Sequence, residues 1–592
     1  MNMNNHSPIT NVLVLRGVAR LASLALAVLF LAGQANLAYG KTYRLAEGDD
    51  LQKALDRVEY GDVIELEPGA TFVGNFVLPK PPPPKKLTTP ESLKYLWIRI
   101  RSSDYQKLPK RGERVRPEHA KHMPKIVSPN SMPALSTRFG SNRFQFVGLE
   151  ITTTSKKLYN LVLLGYNGPE GRAAKQIPEL PAQIAFERCY IHGNPTGQIR
   201  TGIALNGRSV SIMDCHISDF HERGSDAQAL CGWNGNGPFK IVNNYLSGSG
   251  ENLMFGGADP DIRGLIPSDI EIRYNHFHKP NTWNKHHDDY AGTEWTVKNL
   301  LELKSARRVL IEGNVLDNSW AQAQAGFAIL ITPRNQEKTA PWTTVEDVTI
   351  RNNLVRNAGG GVQILNQQVN KNKEGNPPLT KSIKRIHIYN NIFWNINRAD
   401  TKGRGDMFLL SAQPNARPGR DIQIRNNTLI HGGRPHSFIT MGDHNKFATN
   451  LVVTNNITTM GQYGIWGSGS SSGLDAIERY LDGYKIQGNV FVSSKSMKNY
   501  PRDNFVVSRV AEVGFKDPAR GDFQLTSRSP FRNRGTDRRN PGADHLTVAD
   551  SIRGVLSGKR NWFTEEAEKK SDRSKTASRP AQPKKKTARG QQ

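Results

Sequence analysis

Between residues 250 and 345 the chain gathers side chains that could move a proton and hold an anion. Glu302 and Lys304 are two residues apart in Asn299-Leu-Leu-Glu-Leu-Lys-Ser, so on a strand they share one face while Leu301 and Leu303 take the other. Arg334 follows in Ile331-Thr-Pro-Arg-Asn, and Glu251 begins an earlier apolar run. Taking a proton from the carbon beside a carboxylate requires a base. It also requires a cation or metal to hold the enolate, and an acid for the departing oxygen. Lys304 is the expected base, with its pKa lowered by neighbouring cations. Arg334 is the expected acid or carboxylate clamp. Glu251 and Glu302 are the expected oxygen ligands for Ca²⁺. The plainer reading of Glu302 and Lys304 is an ion ladder on an exposed strand.

Around them stand four tryptophans, Trp283, Trp295, Trp320 and Trp342, which on the surface would stack on sugar rings and when buried would close loops over the core. Asn335, beside Arg334, is a candidate substrate contact. His286-His287-Asp288-Asp289 falls between two of the tryptophans in a polar stretch and reads as a solvated loop. Paired aspartates followed by Gly-His-Gly, as in polygalacturonase-like hydrolases, are absent from the sequence.

These residues can meet only if something stacks them. Eight short segments, among them Val348-Thr-Ile-Arg-Asn-Asn-Leu-Val and Ile386-His-Ile-Tyr-Asn-Asn-Ile-Phe, end in Asn-Asn or a related pair. The last Asn of each falls at 244, 275, 314, 353, 391, 427, 456 and 489, in steps of 29 to 39 residues. A repeat of that length marks a solenoid. Each segment alternates apolar and polar residues with period two, as a half-buried strand does. Asn suits the corner after it, where the backbone turns left-handed and a side-chain amide can stack on the next coil. A second apolar run lies between successive segments and no helical pattern separates them, so the sequence predicts an all-β, right-handed parallel β-helix. Phe144-Gln-Phe-Val, Ile184-Ala-Phe-Glu and Val210-Ser-Ile-Met match the template with other residues at the corner. With them, about eleven coils fill residues 140–495. Adjacent strands lie about 4.8 Å apart, which would bring Lys304 and Arg334 side by side.

The remainder divides readily. Residues 1–40 read as a secretory signal, with Arg16 and Arg20 before an apolar core and Ala38-Tyr39-Gly40 as the cleavage site. Residues 41–139 hold an N-terminal cap and the first coils. Asp49 or Asp50 is the N-cap of a short helix whose apolar stripe is Leu51, Ala54, Leu55 and Val58. Lys80 to Lys86 is a stiff polyproline insertion. Residues 496–564 read as a C-terminal coil or cap region, and 565–592 as a disordered basic tail.

The chain of 592 residues carries +27, of which two charges lie in the leader and five in the tail, leaving +20 on the body. That excess attracts a polyanion, and outside the cytoplasm acidic polysaccharide is the expected partner. The sequence predicts a secreted, periplasmic or cell-surface protein with no nucleic acid partner and no membrane span after signal cleavage. Of the three cysteines, Cys189 and Cys215 occupy the same position of successive segments, as a disulfide or as stacked thiols, and Cys231 stands apart.

The coil pattern, the N-terminal cap and the ending Asp517-Pro-Ala-Arg-Gly-Asp-Phe-Gln-Leu with Pro541-Gly-Ala-Asp resemble secreted right-handed parallel β-helix proteins of the pectin-lyase-like superfamily. Within it, Leu301-Glu-Leu-Lys304-Ser with an Arg one coil on is similar to alginate lyases and chondroitinase B type lyases. That resemblance implies Lys304 as base, Arg334 as acid and Ca²⁺ on nearby acids. The family's Arg is followed by His-Gly, where this chain has Asn335-Gln336. Three functions follow as expectations: a lyase of acidic polysaccharide by β-elimination, a non-catalytic adhesion protein using the same face, and a glycoside hydrolase.

Overall fold

Each coil visits three sheets in turn. In the computed structural model, which describes residues 40–83, 96–369, 378–443, 445–560 and 562–563, fourteen parallel strands form sheet A, from Thr42–Leu45 to Leu481–Gln487. Fourteen form sheet B, from Thr71–Val73 to Phe505–Val507, and twelve form sheet C, from Phe76–Leu78 to Gly464–Gly467. Except at the two ends, where Thr42–Leu45 pairs with Val63–Leu66 and Val490–Val492 with Phe505–Val507, neighbours within a sheet are separated in sequence by one strand from each of the other two. This is a right-handed parallel β-helix, with three strands per coil. The expected leader up to residue 39, residues 84–86 of the polyproline run and the basic tail lie outside the described residues.

The core follows from the period-two pattern. In sheet A, Ile270 and Ile272, Val309 and Ile311, Val348 and Ile350, and Ile386 and Ile388 point inward and stack coil on coil, while Glu271, Leu310, Thr349 and His387 point outward between them. β-branched side chains suit this pleated, close-packed column.

The corner between sheets A and B divides two tasks between two residues. The first residue takes the left-handed conformation: φ is +58° at Asn352, +56° at Asn390, +51° at Asn426 and +66° at Gly313. Asn and Gly tolerate this best. Tyr274, Arg188 and Asp214 adopt it in the same place, at φ of +59°, +52° and +58°. The second residue is the buried Asn of the ladder. Asn353 donates its backbone N–H to Asn391 Oδ1 at 3.0 Å and its side-chain amide to the same oxygen at 2.9 Å, to Ile311 O at 2.9 Å and to Arg351 O at 2.9 Å. Its own Oδ1 accepts both amides of Asn314 at 2.9 Å. The chain of bonds runs without a break from Asn244 to Asn489 and ends on Asn504. Upstream, cysteines take the same place: Cys215 N–H donates to Asn244 Oδ1 at 2.9 Å, and Cys189 N–H to Cys215 Sγ at 3.4 Å. Both are free, buried thiols, stacked without a disulfide.

The ends are covered. The helix Leu51–Leu55 is capped by Asp50, which accepts from Lys53 N, and it buries Leu51, Ala54 and Leu55 over the first coil. The helix Leu474–Tyr480, which no sequence pattern singled out, packs at the other end against the last strand of sheet C and buries Ala476, Ile477 and Tyr480. Beyond it the chain returns along the outside as a strap over the A–B corners. Thr536 N–H donates to Asn455 Oδ1, Asp544 N–H to Asn390 Oδ1, and Trp562 Nε1 to the buried Asp214.

Because six bonds meet at Asn353 and five of them are buried, Asn353→Ala should lower unfolding stability by roughly 3 kcal/mol, read as a shift of the urea midpoint. Asn352→Gly, which keeps the left-handed corner, should cost about 1 kcal/mol or less.

Candidate active site

The outer face of sheet C carries the residues that the spacing singled out. Glu302 stands in register between Met254 of the preceding coil and Leu330 of the next, with Leu301 and Leu303 turned into the core. Lys304 follows at the strand's end, where its N–H donates to Phe255 O at 2.7 Å and its C=O accepts from Arg334 N–H at 2.9 Å. That bond sets Arg334 on the adjacent coil, three residues past the strand end at Ile331. Lys304 lies over Gly256, whose φ is +99° and where a Cβ would come within 2.7 Å of Lys304 Cβ. Only glycine leaves that floor open.

Glu302, Lys304 and Arg334 line one cavity of about 470 Å³. Arg200, Asp226, Lys298, Tyr159 and Trp233 share it. The last five were missed because four of them come from coils before the Asn pairs become regular. Cys231 and Met254 lie in register with Glu302, and Trp233 follows Cys231 by two residues, so coil alignment alone would have found it. The exposed Tyr159 ring is crossed by Arg200 at 4.7 Å. Two larger hollows, of about 730 and 640 Å³, differ in kind: the first has no carboxylate or imidazole among its lining residues, and the second is covered by the strap.

Glu302 is nearly fully buried and held rigidly. Its Oε1 accepts from Thr332 Oγ1 at 2.6 Å, its Oε2 accepts from Asn299 Nδ2 at 3.2 Å, and Lys304 Nζ stands 3.7 Å away. Behind it Glu251 is completely buried, with Oε2 accepting from Gln228 Nε2 at 2.8 Å. Its Oε1 has no hydrogen-bond partner, and Lys298 Nζ, paired with Asp226, lies 3.8 Å off. Burial, then the charges of Asp226 and Glu302, pushes the Glu251 carboxyl up to about 7. The corner before Glu251 is tied down by Lys279, also fully buried, which donates to Gly248 O at 2.6 Å, Ser249 O at 2.8 Å, Gly250 O at 2.9 Å and Asn252 Oδ1 at 3.1 Å. Burial lowers its pKa to about 7.

One expectation is corrected here. Burial opposes the charge on Lys304, but Glu302, Glu251 and Asp226 outweigh it and raise its pKa. Its neighbours are carboxylates rather than the cations expected, so the free protein carries Lys304 protonated.

Other expected contacts fall elsewhere. Asn335 is buried beside the cavity, donating to Leu379 O at 2.9 Å and accepting from Ala340 N at 3.0 Å; it holds a loop and its side chain does not reach the surface. Trp283, Trp295 and Trp320 form a buried cluster with Val297, with His221 stacked on Trp295 at 3.9 Å. The long insertion between sheets B and C needs this small core of its own, so those three rings present no face to a sugar. Trp342 is half-buried and donates to Leu265 O at 3.0 Å, away from the cavity lining. His286, His287, Asp288 and Asp289 are exposed on that insertion.

Asp226, Glu251 and Glu302 offer oxygen only, and Glu251 Oε1 has no hydrogen-bond partner beyond its 3.8 Å ion pair with Lys298. Oxygen is the donor type a hard cation such as Ca²⁺ takes, but these three carboxylates do not converge within 4.8 Å of one another, so they form no ready-made cluster.

No family model matches the chain and no curated protein does. Among solved structures, it is similar to an alginate lyase from Paenibacillus sp. str. FPU-7 at 12% identity and a TM-score of 0.28, over 75% of this chain and 98% of that one. A mannuronic acid specific polysaccharide family 6 lyase from human gut microbiota aligns at 12% identity and a TM-score of 0.40, over 87% and 99%. The catalytic unit of a GH87 alpha-1,3-glucanase from Streptomyces thermodiastaticus strain HF3-3 aligns at 10% and 0.40, over 78% and 70%.

A carboxyl whose pKa is higher folded than unfolded binds its proton more tightly in the native state. As pH rises from 4.5, its ordinary value, through about 7, folding must surrender that advantage, so the contribution of Glu251 declines across this window. Glu251→Gln should therefore gain stability relative to wild type on going from pH 5 to pH 8 in chelator-treated buffer. Paired thermal melts at the two pH values read the difference, and a difference independent of pH would remove the assigned protonation.

Proposed function

We propose that the protein is a secreted, periplasmic or cell-surface polysaccharide lyase that cleaves an acidic polysaccharide by β-elimination at the sheet C cavity. The observation that carries this reading is the convergence of Glu302, Lys304 and Arg334 in one cavity on a body of high positive charge. Arg334 binds the uronate carboxylate and stabilises the enolate that grows from it, as a charged guanidinium does. Lys304 takes the proton beside that carboxylate. The electrons left behind form the enolate, then the new double bond, and expel the glycosidic oxygen, which collects a proton from water. Lys304 must first lose its own proton, which Glu302, Glu251 and Asp226 now retain on it. Ca²⁺ bound by those carboxylates would neutralise the charge responsible. Glu302 positions the ammonium through its 3.7 Å contact. Trp233 and Tyr159 offer apolar ring surface to neighbouring sugars.

The raised pKa of Lys304 favours a second reading, in which the same cavity binds a polyanion without turnover. Hydrolysis fits less well: Glu251, the carboxyl held protonated near neutrality, is wholly buried and does not reach a glycosidic oxygen.

Incubation with alginate, pectate and glycosaminoglycans, with and without Ca²⁺, should produce the ultraviolet absorbance of an unsaturated uronate. Lys304→Ala and Arg334→Ala should each lower kcat/KM by about 10²- to 10⁴-fold with melting temperature preserved. Retention of a polyanion without absorbance would establish the binding reading, and new reducing ends without absorbance would indicate hydrolysis.

A further inference from the structure

On the outer face of sheet B, separate from the cavity on sheet C, two histidines and an aspartate converge. His276 and His278 flank the core residue Phe277 in one strand, so both point outward. His278 is in register with Asp317 of the next coil. One ligand atom from each of the three lies within 4.8 Å of the other two. Nε2 of His276 and Nδ1 of His278 are buried and have no hydrogen-bond partner. Buried ring nitrogens are ordinarily paired, so two orphans side by side point to a missing partner.

The surroundings hold the group in place. The Tyr245 ring lies 5.4 Å from His276 and 6.2 Å from His278, and the two imidazoles are 5.3 Å apart. Asp317 Oδ2 accepts from Arg356 Nη2 at 2.8 Å and Oδ1 from Asn357 Nδ2 at 2.9 Å. Each oxygen keeps a further lone pair, and outer donors of this kind orient a metal-ligating carboxylate.

We propose that His276, His278 and Asp317 bind one divalent transition-metal ion of the Zn²⁺ type, tying two successive coils together. Two imidazoles and a carboxylate suit such an ion and disfavour Ca²⁺ or Mg²⁺, which take oxygen. Tetrahedral zinc with bonds of about 2.0–2.1 Å sets ligand atoms ~3.3 Å apart, so closure requires side-chain rotation of roughly 1 Å. The guanidinium of Arg356 opposes a dication, and moderate affinity is expected. The site shares no residue with the sheet C cavity, so this proposal and the lyase reading stand or fall separately.

The test uses the full chain, freed of metal by chelator and titrated with Co²⁺ while its visible absorption is recorded. One saturable equivalent is expected. His278→Gln and Asp317→Asn should each weaken it on the order of tenfold or more, whereas His287→Ala, on the exposed loop, should leave it unchanged. Zn²⁺ should raise the melting temperature of the wild type and leave that of a folded His276→Ala, His278→Ala variant unmoved. No saturable Co²⁺ band, or a band that survives both His278→Gln and Asp317→Asn, overturns the site. Asp317→Asn keeps shape and volume, so it decides the matter even where the histidine variants fail to fold.

Discussion

The corner between sheets A and B is the place where this fold has to solve its backbone problem. The chain turns sharply there while buried, and an N–H left unpaired in that setting is costly. The ladder asparagine solves this within itself: one side-chain oxygen takes the backbone and side-chain N–H groups of the preceding coil, and one side-chain NH₂ reaches back to earlier carbonyls. No helix, disulfide or hairpin is needed between coils. The same bonds hold each coil in step with the next, so the registers of all three sheets follow from one column of amides.

The division of labour at that corner explains why the fold could be read from sequence. A left-handed residue selects Asn or Gly, and a buried ladder residue selects Asn, so the two constraints print Asn-Asn or Gly-Asn in segment after segment. Where Tyr274, Arg188 and Asp214 take the left-handed place, other contacts compensate: Asp214 accepts from Trp562 and Asn243, and Arg560 lies over the Tyr274 ring at 4.2 Å. The strap supplies Trp562 for Asp214 and Arg560 for Tyr274. Its course was not legible, because it rests on single loop-to-corner contacts that follow no period.

The site was legible to the extent that coil arithmetic reaches. Glu302, Lys304 and Arg334 lie on strands or strand ends whose stacking the ladder dictates, and they line one cavity. The tryptophans misled because ring exposure depends on whether a long insertion builds its own core, and Val297 and His221 complete that core from outside any pattern. The protonation of Lys304 was misjudged for a related reason. Arg334 is visible as a cation one coil onward, but Asp226 and Glu251 come from preceding coils, and the burial that strengthens their influence cannot be read from residue type.

That charge arrangement has a consequence for how the cavity works. At long range the body is a polycation and draws in polyanions. At short range two buried carboxylates, Glu251 and Glu302, stand behind Lys298 and Lys304, while Asp226 pairs with Lys298 on the cavity wall itself. Removing those carboxylates would leave Lys298 and Lys304 repelling each other in a partly buried place, and Glu251 marks the limit of the opposite excess, since its own carboxyl is pushed up to about 7. Lys304 is thus held charged by buried carboxylates that outweigh its desolvation. A bound cation or a proton on Glu251 would weaken that hold and bring its pKa down.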